Sequence, residues 1–298
     1  MLFSNQELVP MKSAELTSIF KDRLSTLYDS REIQSFIFIL LEYHRGWNKV
    51  DVLRNFGDEL EPYVVSAMMA SLEQLESGKP VQYITGTTWF NGLKIFVNHH
   101  VLIPRPETEE LCAMIGLDFA NYPQKQHFRI LDIGTGSGSI AIHLKTTFPM
   151  AEVYAVDISD SALEVAERNA IANSCEICVI QMDILDRKRW HELPSFDLIV
   201  SNPPYIPESE RSMMNRNVVD YEPESALFVP DSNPLKFYKS ITDFCIEHLD
   251  SAGRLYFEIY EQSGQTLMHY LKENFSGKAE LLNDFRGKER FIRAQKTG

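Results

Sequence analysis

Positive charge is in short supply in this chain of 298 residues: 29 Lys and Arg stand against 42 Asp and Glu, a formal net charge of -13. A protein that grips many phosphates carries a basic stripe whose counterions are released on binding, so direct nucleic-acid binding is disfavoured. Long apolar runs are missing as well. The longest unbroken one, Phe36 to Leu41, falls far short of the roughly 20 residues of a membrane-spanning helix, so no membrane partner is expected. The opening stretch MLFSNQELVPMKSAEL has neither a basic start nor a sustained apolar region, so no signal peptide is expected. Four cysteines are too few for a disulfide framework in a chain of this length. Cys175 and Cys178 form a CxxC pair, but no second pair and no histidine at ligand spacing accompanies it. The surrounding CEICVIQMD reads as the start of a strand, whereas a redox CxxC opens a helix. The expectation is a reduced, cytoplasmic protein with no metal.

What remains has the composition of an ordinary globular protein, 44% hydrophobic and 24% charged, without repeats or low-complexity tracts. Residues 1–78 carry four segments with apolar residues at helical spacing: LTSIFKDRLSTLY, REIQSFIFILLEYHRG, VDVLRNF and PYVVSAMMASLEQLESG. Pro62 suits a first helical turn and Gly78 a helix end. The Met68-Met69 pair and the aromatics of this segment read as core. Residues 79–108 change texture, with short β-branched and aromatic runs around Asn91-Gly92, a strong hairpin signal. This stretch is expected to be a β-hairpin linker. Residues 109–298 are expected to form the last domain, and from Arg129 onward strand and helix patterns alternate: RILDI, SIAIHLKTTF, EVYAVD, SDSALEVAERNAIAN, ICVIQMD, FDLIVS, PLKFYKSITDFCIEHL, RLYFEIY and SGQTLMHYLKENF. That alternation predicts an α/β fold with a doubly wound, mostly parallel sheet. AELLNDF and ERFIRAQ close the chain with only a short loop between them, so at least one of these strands is expected to run antiparallel.

In such sheets ligands bind beyond the carboxyl ends of the strands. The first strand ends in Asp132-Ile133-Gly134-Thr135-Gly136-Ser137-Gly138, the second at Asp157, the third at Asp183 and the fourth at Asn202. Glycines let the backbone turn tightly and approach a ligand, and Asp157 stands about 20 residues on, where a carboxylate accepts from ribose hydroxyls. The third glycine of a dinucleotide fingerprint would fall at Ser139, so the spacing is G-x-G-x-G instead. Three acidic groups, Asp132, Asp157 and Asp183, would repel a pyrophosphate. They suit a ligand with an ammonium, a sulfonium and a ribose, which is S-adenosylmethionine. The bland alternative is a tight strand-to-helix turn without a ligand. At the fourth strand end, Pro203 and Pro204 rigidify the backbone and remove two N–H donors. Asn202 offers an amide carbonyl, and Tyr205 an aromatic face. Such a site holds a planar, weakly nucleophilic NH2 group. The carbonyls of Asn202 and Pro203 accept its two hydrogens and Tyr205 packs beside it, which makes Asn202, Pro203 and Tyr205 the candidate catalytic residues. Arg105 and Glu107 to Glu109 read as an ion-paired lock between hairpin and catalytic domain, and His99-His100 as surface or packing residues.

These residues resemble the class I amino-methyltransferases and, more closely, the HemK family of peptide chain release factor N5-glutamine methyltransferases. The resemblance runs through GKPVQYITG (78–86), VLIPRPETE (101–109), DIGTGSGSIAI, AVDIS, SNPPYIP and YEPESAL (221–227). It implies a Rossmann-like methyltransferase domain at 109–298 behind a helical domain that docks the substrate. It also implies methylation of the glutamine in the Gly-Gly-Gln loop of class 1 release factors. Gly134, Thr135, Gly136, Ser137, Gly138 and Asp157 would then bind S-adenosylmethionine, with Asp183 and Ile184 flanking the adenine and Asn202 at the junction of cofactor and substrate. Asn202, Pro203, Pro204 and Tyr205 would bind the glutamine. A ribosomal-protein glutamine methyltransferase would use the same site. An adenine-N6 nucleic-acid methyltransferase shares the Asn-Pro-Pro-Tyr motif but wants a basic face. A non-catalytic S-adenosylmethionine sensor has no need of an amide-holding site.

Overall fold

The computed structural model describes residues 10–120 and 127–297. The chain forms two compact units, one made of Met1–Gly86 with Arg216–Tyr221, the other of Thr87–Asn215 with Glu222–Gly298.

The first unit holds α1 (Ser13–Leu24), α2 (Ser30–Arg45), α3 (Lys49–Arg54), α4 (Pro62–Glu76) and α5 (Val81–Thr85). Local chemistry sets their ends. The Asp29 side chain accepts from the backbone N–H groups of Arg31 and Glu32, and Gly46 closes α2 in the left-handed region. Asn48 and Asp51 form a reciprocal capping box on α3, and Pro62 opens α4. The apolar faces meet in a core that includes Leu16, Phe20, Ile37, Leu40, Met68 and Leu72. Val81–Thr85 is a short helix, although its β-branched residues read as part of the hairpin texture. Pro80 before it and the left-handed Gly86 after it confine it to little more than one turn. Within this unit the Tyr221 hydroxyl lies 3.0 Å from both the hydroxyl and the carbonyl oxygen of Ser77.

In the second unit β1 (Thr87–Phe90) and β2 (Leu93–Phe96) form the expected hairpin. Both turn residues, Asn91 and Gly92, have positive φ, the backbone that a two-residue hairpin turn demands. The hairpin does not stand apart as a linker. It packs within this unit, where the Asn169 side chain accepts from the Phe96 N–H at 2.6 Å and donates to its carbonyl at 2.9 Å. The compact units therefore divide at Gly86, where the sequence places a boundary at residue 78.

After α6 (Pro106–Phe119) come β3 (Arg129–Ile133), α7 (Ser139–Thr147), β4 (Glu152–Asp157), α8 (Asp160–Ala172), β5 (Cys178–Gln181) and β6 (Phe196–Ser201). Then follow α9 (Lys236–His248), β7 (Leu249–Glu258), α10 (Gly264–Asn274), β8 (Gly277–Asn283) and β9 (Glu289–Lys296). The seven strands lie in the order β8-β9-β7-β6-β3-β4-β5. Strands β3 to β7 pair in parallel, and β9 runs antiparallel between β7 and β8. The central strand β6 is buried along its whole length, as a strand covered on both faces must be. Strand order reverses between β3 and β6, so a crevice opens beyond their carboxyl ends.

Candidate active site

A cavity of about 440 Å³ occupies that crevice. Backbone hydrogen bonds between neighbouring strand ends fix its floor. The N–H groups of Gly134 and Thr135 donate to the Val156 carbonyl at 2.8 and 3.0 Å, and Met182 N–H to the Asp157 carbonyl at 2.8 Å. The Ser201 hydroxyl ties the end of β6 to the Ile133 carbonyl at 2.6 Å.

Gly134, Thr135, Gly136 and Ser137 line the cavity together with Asp157, Asp183, Ile184, Asn202, Pro203 and Pro204. Three residues expected to face a ligand, Gly138, Tyr205 and Asp132, do not line it. Gly138, at positive φ, sits behind the loop at the start of α7. A Cβ there would come within 3.0 Å of the Ala166 Cβ, so this glycine lets α8 pack against the loop. Tyr205 is packed against the core, its hydroxyl 3.3 Å from Glu258 Oε1 and its ring stacked on Tyr260 at 6.2 Å.

Asp132 is also displaced from its expected place. It is fully buried and does not line the cavity, leaving Asp157 and Asp183 as the acidic residues there. Its Oδ2 accepts from the Thr135 hydroxyl at 2.6 Å and from Ala141 N–H at 3.2 Å, so it braces the glycine loop from below. Burial pushes its carboxyl up to about 7. Asp157 accepts from Gly136 N–H at 2.9 Å through Oδ2 and from Ser159 N–H at 3.0 Å through Oδ1. Burial raises its pKa, against the pull of those donors. Asp183 is oriented by Leu185 N–H, 2.9 Å from its Oδ1. The Ile184 carbonyl accepts from the Trp190 ring nitrogen at 3.0 Å and the Ser240 hydroxyl at 2.8 Å, so this wall residue is pinned from behind.

Three features escape a reading of the sequence. His100, taken there as surface or packing, lines the cavity, as do the apolar Phe228 and Phe237. Arg105 pairs with the buried Glu222 at 2.5 Å, so it locks onto the segment after β6. Of the residues expected to lock the hairpin it is Glu109 that reaches the turn, its carboxylate accepting from Asn91 N–H at 2.9 Å and its carbonyl from the Asn91 side chain at 3.2 Å. Finally, Asn202 Nδ2 lies 3.2 Å from Thr108 Oγ1, which lies 2.6 Å from Glu258 Oε2. Thr108 and Glu258 are both buried, and burial pushes the Glu258 carboxyl up to about 7.

The cavity suits a ligand with a polar end and a flat aromatic end. Its glycine loop and carboxylates lie at the strand termini, and Ile140, Val156, Ile184 and Ile241 form apolar walls. S-adenosylmethionine fits that donor set.

A family model described as PrmC N-terminal domain matches residues 15–86, and one described as Methyltransferase small domain matches residues 119–220. The release factor glutamine methyltransferase of Flavobacterium psychrophilum is 39% identical over 274 residues, covering 92% of this chain and 95% of that protein. That of Bacteroides thetaiotaomicron is 35% identical over 281 residues, 94% of this chain and 99% of its own length. Among solved structures, the hMettl16 catalytic domain in complex with the MAT2A 3'UTR hairpin 6 aligns with a TM-score of 0.52 and 15% identity. It covers 81% of this chain and 84% of that one, a likeness of fold.

Proposed function

The chain belongs to the family of release factor glutamine methyltransferases, and from that premise we propose that it methylates the side-chain amide nitrogen of the glutamine in the Gly-Gly-Gln loop of class 1 peptide chain release factors. One observation carries the reading to the residues: Asn202, Pro203 and Pro204 line the same cavity as the glycine loop and Asp157. The motif read as amide-holding and the motif read as nucleoside-holding thus line one cavity.

S-adenosylmethionine, when bound, supplies an electrophilic methyl group on a sulfonium. Gly134 to Ser137 and Asp157 hold its polar part, and Asp183 and Ile184 its adenine. The protein's task is then to make an amide nitrogen nucleophilic. The Asn202 side-chain oxygen and the Pro203 carbonyl accept the two hydrogens of the substrate NH2, which directs the nitrogen lone pair toward the donor. As positive charge builds on that nitrogen, the same two oxygens stabilise it, and one of its two N–H protons is then lost to water, leaving the secondary amide and, on the donor side, a neutral thioether. No protein nucleophile takes part, so the acceleration comes mainly from fixing the geometry, an effect worth roughly 7–11 kcal/mol. Arg105, Glu107 and Glu109 are structural in this scheme.

A radiolabelled methyl-transfer assay tests the reading with four substrates side by side: a release factor, its loop variant with Gln replaced by Ala, ribosomal RNA and ribosomal protein. Label on the intact factor alone is the expected result. Label on RNA alone would overturn it, and label on ribosomal protein alone would move the target to the sister activity.

A further inference from the structure

Hydrogen-bond direction at the site is set by a group that never reaches the cavity. Glu258 ends β7 and is buried. One of its oxygens lies 2.6 Å from Thr108 Oγ1 and the other 3.3 Å from the Tyr205 hydroxyl. An ionised carboxylate can only accept hydrogen bonds. The single hydroxyl hydrogen of Thr108 is therefore committed to Glu258, and its lone pairs are left to accept. The 3.2 Å contact from Asn202 must then be an N–H donated by the side-chain NH2. A flipped amide would set two acceptors against each other.

We propose that Thr108 and Glu258 are positioning residues, a two-member relay that holds the amide of Asn202 with its carbonyl oxygen toward the substrate. The proposal rests on the glutamine reading above. It explains why a threonine of the α6 first turn and a glutamate at the end of β7, 150 positions apart, are joined by a short buried hydrogen bond. Through Tyr205 the same carboxylate also steadies the other end of Asn-Pro-Pro-Tyr.

The direction of the relay depends on ionisation. A protonated Glu258 donates to Thr108, whose hydroxyl is then free to donate to Asn202 Oδ1. The amide can turn over and present NH2 to the substrate's NH2, donor against donor. Glu107 and Cys112 of α6, Thr108, Tyr205, Tyr238 of α9 and Arg290 of β9 are the groups that face this carboxyl. With burial holding the Glu258 proton on up to about 7, the rate is expected to rise with pH through that region.

Steady-state kinetics of the full-length enzyme on a release factor, from roughly pH 6 to 9, test this in wild type, Thr108→Ser, Thr108→Val and Glu258→Gln. Cofactor affinity is measured in parallel by calorimetry. Thr108→Val should lower kcat about tenfold, the equivalent of one lost hydrogen bond, with the KM for the release factor and the Kd for S-adenosylmethionine nearly unchanged. Thr108→Ser, which keeps the hydroxyl, should restore kcat. Glu258→Gln should lose the rising limb of the pH profile. Wild-type kcat in the valine variant, a serine variant as impaired as the valine, or a limb that persists in Glu258→Gln would each overturn the relay. If the valine variant does not fold, the serine and glutamine variants decide. A wild-type enzyme that leaves the release factor unlabelled would instead bring down the glutamine reading, and the relay with it.

Discussion

At the scale of single residues, the motifs separate the residues that line the cavity from those that brace it from behind only in part. The glycine loop, Asp157 and Asn-Pro-Pro are legible because each is a compact word at a strand end, and all of them line the cavity. Thr108 and Glu258 are not legible as a pair, since 150 positions separate them and neither type is unusual where it stands. Asp132 is legible as acidic but not as buried, because one residue along a strand turns a side chain to the other face. Asn202→Ala should lower methyl transfer by roughly tenfold to a hundredfold while leaving the Kd for S-adenosylmethionine within about twofold, since the loss falls on the hydrogen bond to a substrate amide that becomes charged. Activity and calorimetry on the same preparation check this. Asp132 bears on stability instead. Its folded pKa is about 7 against about 4 in an unfolded chain, so between those values the folded state binds more protons. Stability then falls as pH rises through that window. Asp132→Asn, neutral at every pH and still able to accept from Thr135 and Ala141, should raise the Tm above pH 7. The gain should shrink as the pH is lowered toward 5, in thermal melts followed by circular dichroism.

At the scale of elements, hydrophobic period and turn chemistry agree, which is why the sheet strands, the main helices and the hairpin follow from the sequence. Val81–Thr85 is the exception. Five residues are too few to display a helical period, and their β-branched content favours the wrong reading until Pro80 and Gly86 are weighed as brackets. The position of β9 between β7 and β8 is also beyond local signals, because a short loop permits either strand to sit inside. The hairpin offers a clean test of turn chemistry. Gly92 has φ +80° and nothing within 4 Å of where a Cβ would sit. Gly92→Ala should therefore cost only the left-handed backbone strain, about 1–2 kcal/mol. A fall in Tm of a few degrees with unchanged cofactor affinity is the expected result.

At the scale of the whole molecule, binding and stability are linked through the crevice to which four strand ends contribute. A ligand held only by the folded state should stabilise it by about 2.7 kcal/mol at a concentration 100 times its Kd. S-adenosylmethionine should accordingly raise the Tm in a concentration-dependent way, and Asp157→Ala should shift that dependence to higher concentration. Among the described residues no helix is long and apolar enough to cross a membrane. The first compact unit is not contiguous: it takes in Arg216–Tyr221 from the far side of Asn-Pro-Pro-Tyr, and Tyr221 bonds to Ser77 there. A gene fusion that exchanges the helical module between relatives at Gly86 would leave that hexapeptide with its old host. Such an exchange would separate Ser77 from Tyr221, whose hydroxyl lies 3.0 Å from both the hydroxyl and the carbonyl oxygen of Ser77 within the first unit.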